Sequence, residues 1–144
     1  MQKLDGFAEV ALFVDDLARS GAFYEQILGL KKIESSERGC VFRVAARQVL
    51  LLVTRRAART PSRTPGGLVP SCAVAHRAGP GPGHIAFGLS PRALESWRRQ
   101  LEGHGVEVLS YVAWPRGARS LYFRDPDGHL IELATPGIWY TRRG

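Results

Sequence analysis

Three residues have the side-chain types and positions to hold a divalent metal ion: Glu9, His84 and Glu132. Glu9 opens the apolar, β-prone run Glu9-Val10-Ala11-Leu12-Phe13-Val14, and His84 opens the similar run His84-Ile85-Ala86-Phe87-Gly88-Leu89. Side chains alternate faces along a strand, so each of the two leads the set at every second position on one face. Glu132 interrupts an apolar strand between Ile131 and Leu133. A carboxylate there is costly unless it is paired or binds a cation. If the two opening strands and the closing strand line one concave sheet, the three residues converge. Two carboxylates and one imidazole would then form a triad that leaves positions open for substrate and water. Each residue also has a plainer use: His84 as a surface or hydrogen-bonded histidine, Glu132 as a solvent-facing strand end, and Glu9 as the partner of an arginine.

The remaining candidates carry less. His76 reads as a loop residue, His104 as a helix-end residue and His129 as part of a turn. The chain has no glycine-rich phosphate loop after a strand and no Gly-x-Ser-x-Gly elbow, which argues against nucleotide and serine chemistry. Cys40 and Cys72 have no motif partner, so neither a thiol nucleophile nor a disulfide framework is expected.

Self-comparison supplies the elements that must position these groups. After the first run, Leu17 to Leu28 places Leu17, Phe23, Tyr24, Ile27 and Leu28 on one helical face, with Asp15 and Asp16 at the N-cap and Gly29 to end it. After the second run, Pro91 to Glu102 repeats the pattern with Leu94, Trp97 and Leu101, Ser90 as cap and Pro91 as first helical residue. Three strands then follow in each half. They are Lys31–Ser35, Cys40–Val44 and Gln48–Thr54 in the first, and Glu107–Ala113, Ser120–Arg124 and Leu130–Thr135 in the second. Asp125-Pro126-Asp127-Gly128 reads as a tight hairpin turn. Both halves spell β-α-β-β-β at an offset of about 75 residues. The expected organisation is a first module over 1–54, a connecting loop rich in Arg, Pro and Gly over 55–82, and a second module with a tail over 83–144. The loop is either a linker or a cover over a pocket. In the tail, Ile138, Trp139 and Tyr140 are expected to pack on a neighbouring surface.

Composition bounds the function classes. The chain has 144 residues, 44% hydrophobic and 23% charged, which fits one globular domain. No apolar run is longer than Val49–Val53, far short of the roughly 20 residues of a membrane span. The first residues show no apolar stretch before a cleavage site, so a cytoplasmic protein is expected. The net charge is +7, with 20 Lys and Arg against 13 Asp and Glu. Apart from Arg55, Arg56, Arg59 and Arg63 the basic residues are scattered, and no nucleic-acid-binding motif accompanies them, so no nucleic-acid partner is expected.

Two segments resemble a known family. Val10-Ala11-Leu12-Phe13-Val14-Asp15-Asp16-Leu17, with Phe23-Tyr24 and Leu28-Gly29-Leu30, is similar to the opening module of the vicinal oxygen chelate superfamily. Gly83-His84-Ile85-Ala86-Phe87 and the stretch from Arg119 to Leu133, with its Tyr-Phe-x-Asp-Pro-Asp-Gly-x-x-x-Glu-Leu pattern, resemble the second module. The superfamily includes glyoxalase I, extradiol dioxygenases, fosfomycin-resistance thiol transferases, methylmalonyl-CoA epimerase and bleomycin-resistance proteins. The resemblance implies an α+β fold of two tandem βαβββ modules forming a cup-shaped curved sheet with helices outside, usually within a homodimer. It implies a divalent metal (Fe, Mn, Ni or Zn) held at Glu9, His84 and Glu132. It also implies a small, possibly anionic substrate chelated through adjacent oxygens, for which Arg119, Arg43 and Tyr122 are the expected binding residues. Glu9 stands where the family commonly has His or Gln. The strand Gln48–Val53 lacks the carboxylate that glyoxalase I uses as a base, which disfavours that enzyme and, similarly, an epimerase. The expected function is a metal-dependent lyase, dioxygenase or transferase, with a non-enzymatic antibiotic-binding protein as the alternative.

Overall fold

The computed structural model describes residues 6–72 and 81–138. The chain divides into two compact units, Met1–Gly81 and Pro82–Gly144. The first unit begins with β1 (Glu9–Val14), followed by α1 (Leu17–Ala22) and a π-helical turn (Phe23–Ile27). Then come β2 (Lys31–Ser35), β3 (Gly39–Ala45) and β4 (Gln48–Thr54). These strands form one sheet in the order β1-β4-β3-β2, with β1 parallel to β4 and the other pairs antiparallel. The α+β class and the βαβββ order are thus borne out.

Helix α1 starts where expected, because the Asp16 side chain accepts a hydrogen bond from the Arg19 N–H at 3.0 Å. It ends differently: the expected single helix to Leu28 widens into the π-helical turn, and Gly29 then leaves it at φ +67°. The widened turn puts Phe23 and Tyr24 into the core, where Tyr24 meets Phe42 of β3 with ring centroids 6.2 Å apart. Leu12, Val14, Leu50 and Leu52 complete this helix-covered face.

The segment after β4 corrects the expectation of a structureless loop over 55–82. Among its described residues, α2 (Arg55–Ala58) is capped by the Thr54 hydroxyl, which accepts from the Ala57 N–H. A hairpin of β5 (Ser62–Thr64) and β6 (Gly67–Val69) follows. The Arg38 guanidinium donates to the carbonyls of Ala57 and Thr60 at 2.9 and 2.8 Å and to the Thr60 hydroxyl at 3.1 Å. A four-residue helix has too little periodicity to show in a sequence, and its anchor lies some twenty residues upstream.

The second unit repeats the plan with β7 (His84–Gly88), a 3₁₀ turn (Pro91–Ala93), α3 (Leu94–Gly103), β8 (Ser110–Ala113), β9 (Arg119–Arg124) and β10 (Leu130–Ala134). The order is β7-β10-β9-β8, again with the first strand parallel to the last. Leu94 and Leu101 of α3 are buried, as are Leu121, Phe123, Ile131 and Leu133 on the strands. Two details differ from expectation. β8 is three residues shorter at its start than Glu107–Ala113, and the Ser90 side chain makes no capping bond. The Asp125–Gly128 turn forms as expected: Asp125 Oδ1 accepts from the N–H groups of Asp127 and His129, both at 2.9 Å, and Gly128 adopts φ +81°. Ile138 lies half-buried after β10, whereas Trp139 and Tyr140 lie outside the described residues.

Close packing in the first sheet makes one glycine essential. A Cβ at Gly39 would run into the Leu52 carbonyl of the neighbouring strand, whereas a Cβ at Gly88 meets open space. Gly39→Ala should therefore cost about 1–3 kcal/mol through backbone displacement. Gly88→Ala should be tolerated, and thermal unfolding of the two variants checks the contrast.

Candidate metal and substrate site

In the second unit, β7 and β10 are in register so that His84 stands opposite Leu130 and Ala86 opposite Glu132. Across the other side of β10, Glu132 stands opposite Tyr122. Residues directly opposite one another share a face, so His84, Glu132, Tyr122 and Ser120 all lie on the face turned away from α3. Two of the three expected ligands are therefore brought together. His84 Nε2 lies 3.2 Å from Glu132 Oε2.

The hydrogen bonds define what this pair can do. His84 Nδ1 lies 3.0 Å from the Leu130 carbonyl. A carbonyl only accepts, so Nδ1 carries the proton and Nε2 is the nitrogen presented to Glu132. Two electron-rich atoms this close need a cation between or beside them, either a proton on Nε2 or a metal ion. The spacing suits a metal as well. Bonds of about 2.1 Å from one ion to two adjacent ligands place those ligands roughly 3.0–3.4 Å apart. Glu132 is 7% exposed and its other oxygen, Oε1, accepts from the Ser120 hydroxyl at 2.6 Å. His84 is half exposed and open to a ligand from solvent.

Tyr122 extends the site. Its ring stacks on His84 with centroids 6.3 Å apart. Burial, a hydrogen bond to Glu132 and the negative charge of that carboxylate raise its phenol above the ordinary tyrosine value, against an opposing contribution from Ser120. The phenol therefore remains a donor at all physiological pH values. Arg119 lies elsewhere: it alternates with Ser120, so it falls on the opposite face of β9 from Tyr122 and Glu132.

In the first unit, Glu9 is exposed at the start of β1 and stands opposite Val49, which stands opposite Arg43. Glu9 and Arg43 thus share one face, separated by β4. A cavity of about 330 Å³ opens on this face, floored by Ala11, Leu51 and Val53 and walled by Ala57, Ala58 and Val69. Glu9 lines it. The register also shows which residue matches Glu132: Leu51 stands opposite Ala11, as Glu132 stands opposite Ala86. Within each unit taken alone, the described residues form no cluster of three His, Cys, Asp or Glu side chains.

Sequence reading missed two contributors, Ser120 and Trp114, whose roles depend on cross-strand neighbours rather than on any local pattern. It also understated His129. That side chain is 1% exposed, and its Nδ1 accepts from the Gly83 N–H at 2.8 Å, tying the start of β7 to the turn before β10.

A pair of βαβββ units, one carrying a His–Glu pair on the sheet face turned away from its helix, defines a class of paired-module α+β proteins. The chain belongs to the Glyoxalase/Bleomycin resistance protein/Dioxygenase superfamily, whose model matches residues 6–133. Among curated relatives, it is 26% identical to a metallothiol transferase FosB of Staphylococcus haemolyticus over 136 residues, 94% of this chain and 86% of that protein. A metallothiol transferase FosB of Bacillus licheniformis is 42% identical over 57 residues, a match spanning 39% of this chain and only 37% of the relative. Among solved structures, a lactoylglutathione lyase from Agrobacterium tumefaciens aligns with a TM-score of 0.81 at 27% identity, covering 97% of this chain and all of that one. The fosfomycin resistance protein FosX of Listeria monocytogenes aligns at 0.66 with 23% identity, over 94% of this chain and 97% of that one, and shares the fold.

The raised phenol gives a titration with a definite sign. Tyrosinate absorbance attributable to Tyr122, taken as the difference between the wild type and Tyr122→Phe, should appear above the ordinary range near about pH 10. Glu132→Gln removes the carboxylate charge and should move that step downward. Because an unfolded chain ionises this phenol first, stability should fall as pH rises from the unfolded value through the folded one.

Proposed function

We propose that this chain is a divalent-metal-dependent enzyme in which His84 and Glu132 are two of the ligands and Glu9 is the third. The observation that carries this reading is the His84 Nε2–Glu132 Oε2 approach at 3.2 Å on the sheet face turned away from α3. A non-enzymatic binder would have no need of a buried carboxylate held against an open imidazole, since burying that charge is costly. A divalent ion bound there would polarise two adjacent oxygens of a small substrate.

The chain's own groups supply the rest. His84, fixed by the Leu130 carbonyl, keeps Nε2 aimed at one point. Tyr122 keeps a neutral phenol beside it, and a substrate oxygen that displaces Glu132 as its acceptor would take its one O–H hydrogen bond. Arg43, on the face of Glu9, gives the first unit a positive charge suited to an anionic group. The reaction class best supported is thiol transfer, because a metallothiol transferase is among the curated relatives matched over nearly the whole chain and the carboxylate a lyase would draw from the first unit is replaced by Leu51. A lyase reading draws on the lactoylglutathione lyase alignment, but Leu51 occupies the position at which the first unit would supply a carboxylate.

Metal content by mass spectrometry after loading with manganese, nickel, zinc or anaerobic iron should approach one ion per chain. His84→Ala and Glu132→Gln should each reduce it to a small fraction while leaving circular dichroism unchanged. Full occupancy in either variant would remove that residue from the ligand set.

The reaction class has a separate test, in which metal-loaded protein is incubated with fosfomycin and a small thiol such as cysteine. Metal-dependent adduct formation, at least tenfold slower in Tyr122→Phe, is expected. No adduct from metal-loaded protein would sink the transferase assignment and favour the lyase.

A further inference from the structure

A hydrogen-bonded chain of two side chains runs behind Glu132. The Trp114 indole Nε1–H donates to Ser120 Oγ at 3.0 Å, and the Ser120 hydroxyl donates to Glu132 Oε1 at 2.6 Å. Ser120 is fully buried and Trp114 is half-buried. The direction of the chain is fixed by chemistry. An indole N–H can only donate and a carboxylate can only accept, so the one hydroxyl proton of Ser120 must point at Glu132. Trp114 is itself held by the turn between β8 and β9. Its N–H donates to the Ala118 carbonyl at 2.9 Å, and its carbonyl accepts from Gly117 at 3.0 Å, with Gly117 at φ +83°.

Resting on the reading of Glu132 as a metal ligand, we propose that Trp114 is a positioning residue for Glu132, acting through Ser120. The Ser120 hydroxyl, itself held by the Trp114 indole, commits Oε1 and thereby turns Oε2 toward His84. Glu132 is held as a one-oxygen ligand in a single rotamer, at no cost of reorientation when a cation arrives. Hydrogen-bonded chains of this kind polarise one another, so the indole strengthens the short Ser120–Glu132 bond even though it does not touch the carboxylate. Trp114→Phe keeps an aromatic ring on the turn but removes the donor, freeing the serine hydroxyl to rotate.

The test is a double-mutant cycle read by calorimetric titration of manganese(II) and zinc(II) into the metal-free full chain. Trp114→Phe should weaken binding about tenfold and Ser120→Ala by at least as much, the usual scale for groups behind a metal ligand. If Trp114 acts through Ser120, the double variant should be no weaker than Ser120→Ala alone. A merely structural role would instead give losses that multiply. A metal-free readout accompanies it: the Trp114 indole proton should exchange slowly with solvent in the wild type and quickly in Ser120→Ala, by nuclear magnetic resonance. Circular dichroism and thermal unfolding confirm that the variants fold. Wild-type affinity in Trp114→Phe, or multiplied losses in the double variant, would overturn the positioning role alone. A wild-type chain that takes up neither ion would overturn the metal reading, and the positioning role with it.

Discussion

Parallel pairing of the first strand of each unit with its last is the constraint on which the site depends. Neighbouring strands in sequence pair antiparallel through short turns, but a parallel partner requires a longer crossing connection. Here that connection is the helix and two further strands, so the opening strand slots beside the closing one only after the unit is nearly complete. The result is that His84 and Glu132, some fifty residues apart, become close neighbours on one sheet face. The same pairing in the first unit sets Glu9 in the corresponding row, next to Val49 and in line with Arg43.

Helices α1 and α3 each protect one face of their sheet, and the groups suited to chemistry lie on the other. Tyr24, Phe42, Leu50 and Leu52 in the first unit, and Leu101, Leu121, Phe123 and Ile131 in the second, are fully or almost fully buried on the covered side. Burial of this many large side chains supplies the apolar driving force, roughly 1.5–3 kcal/mol for each one. That surplus lets the opposite face of the second unit carry a buried carboxylate. The cost of its charge is offset by the hydroxyl of Ser120, by the imidazole of His84 3.2 Å away and by the phenol of Tyr122.

The two units have diverged along the same frame. At corresponding register positions the first has Glu9 and Leu51 and the second has His84 and Glu132. With Leu51 where the second unit has its carboxylate, the first unit has an apolar floor, and a cavity of about 330 Å³ lies over it. The second unit keeps the polar network. One fold thus carries a mostly apolar surface in one copy and a hydrogen-bonded one in the other, which is why the fold alone does not set the reaction.

Much of this was legible in the chain. Alternation of apolar residues, the Asp16 cap, Gly29 and the Asp125–Gly128 turn are local signals, so the βαβββ order and the equivalence of Glu9 with His84 followed from the residues themselves. So did the oddity of Glu132, because a charge between Ile131 and Leu133 conflicts with the apolar pattern around it. The short helix Arg55–Ala58 did not show, because its stability comes from Arg38 rather than from its own four residues. Nor did the face on which Arg119 falls, or the links from Trp114 through Ser120 to Glu132, since those depend on strand register. Register follows from pairing between distant segments, and a shift of one residue would send each of these side chains to the other face. The sequence determined which residues are suited to chemistry; only the tertiary structure decided which of them meet, because that is settled by contacts between parts of the chain that no local pattern connects.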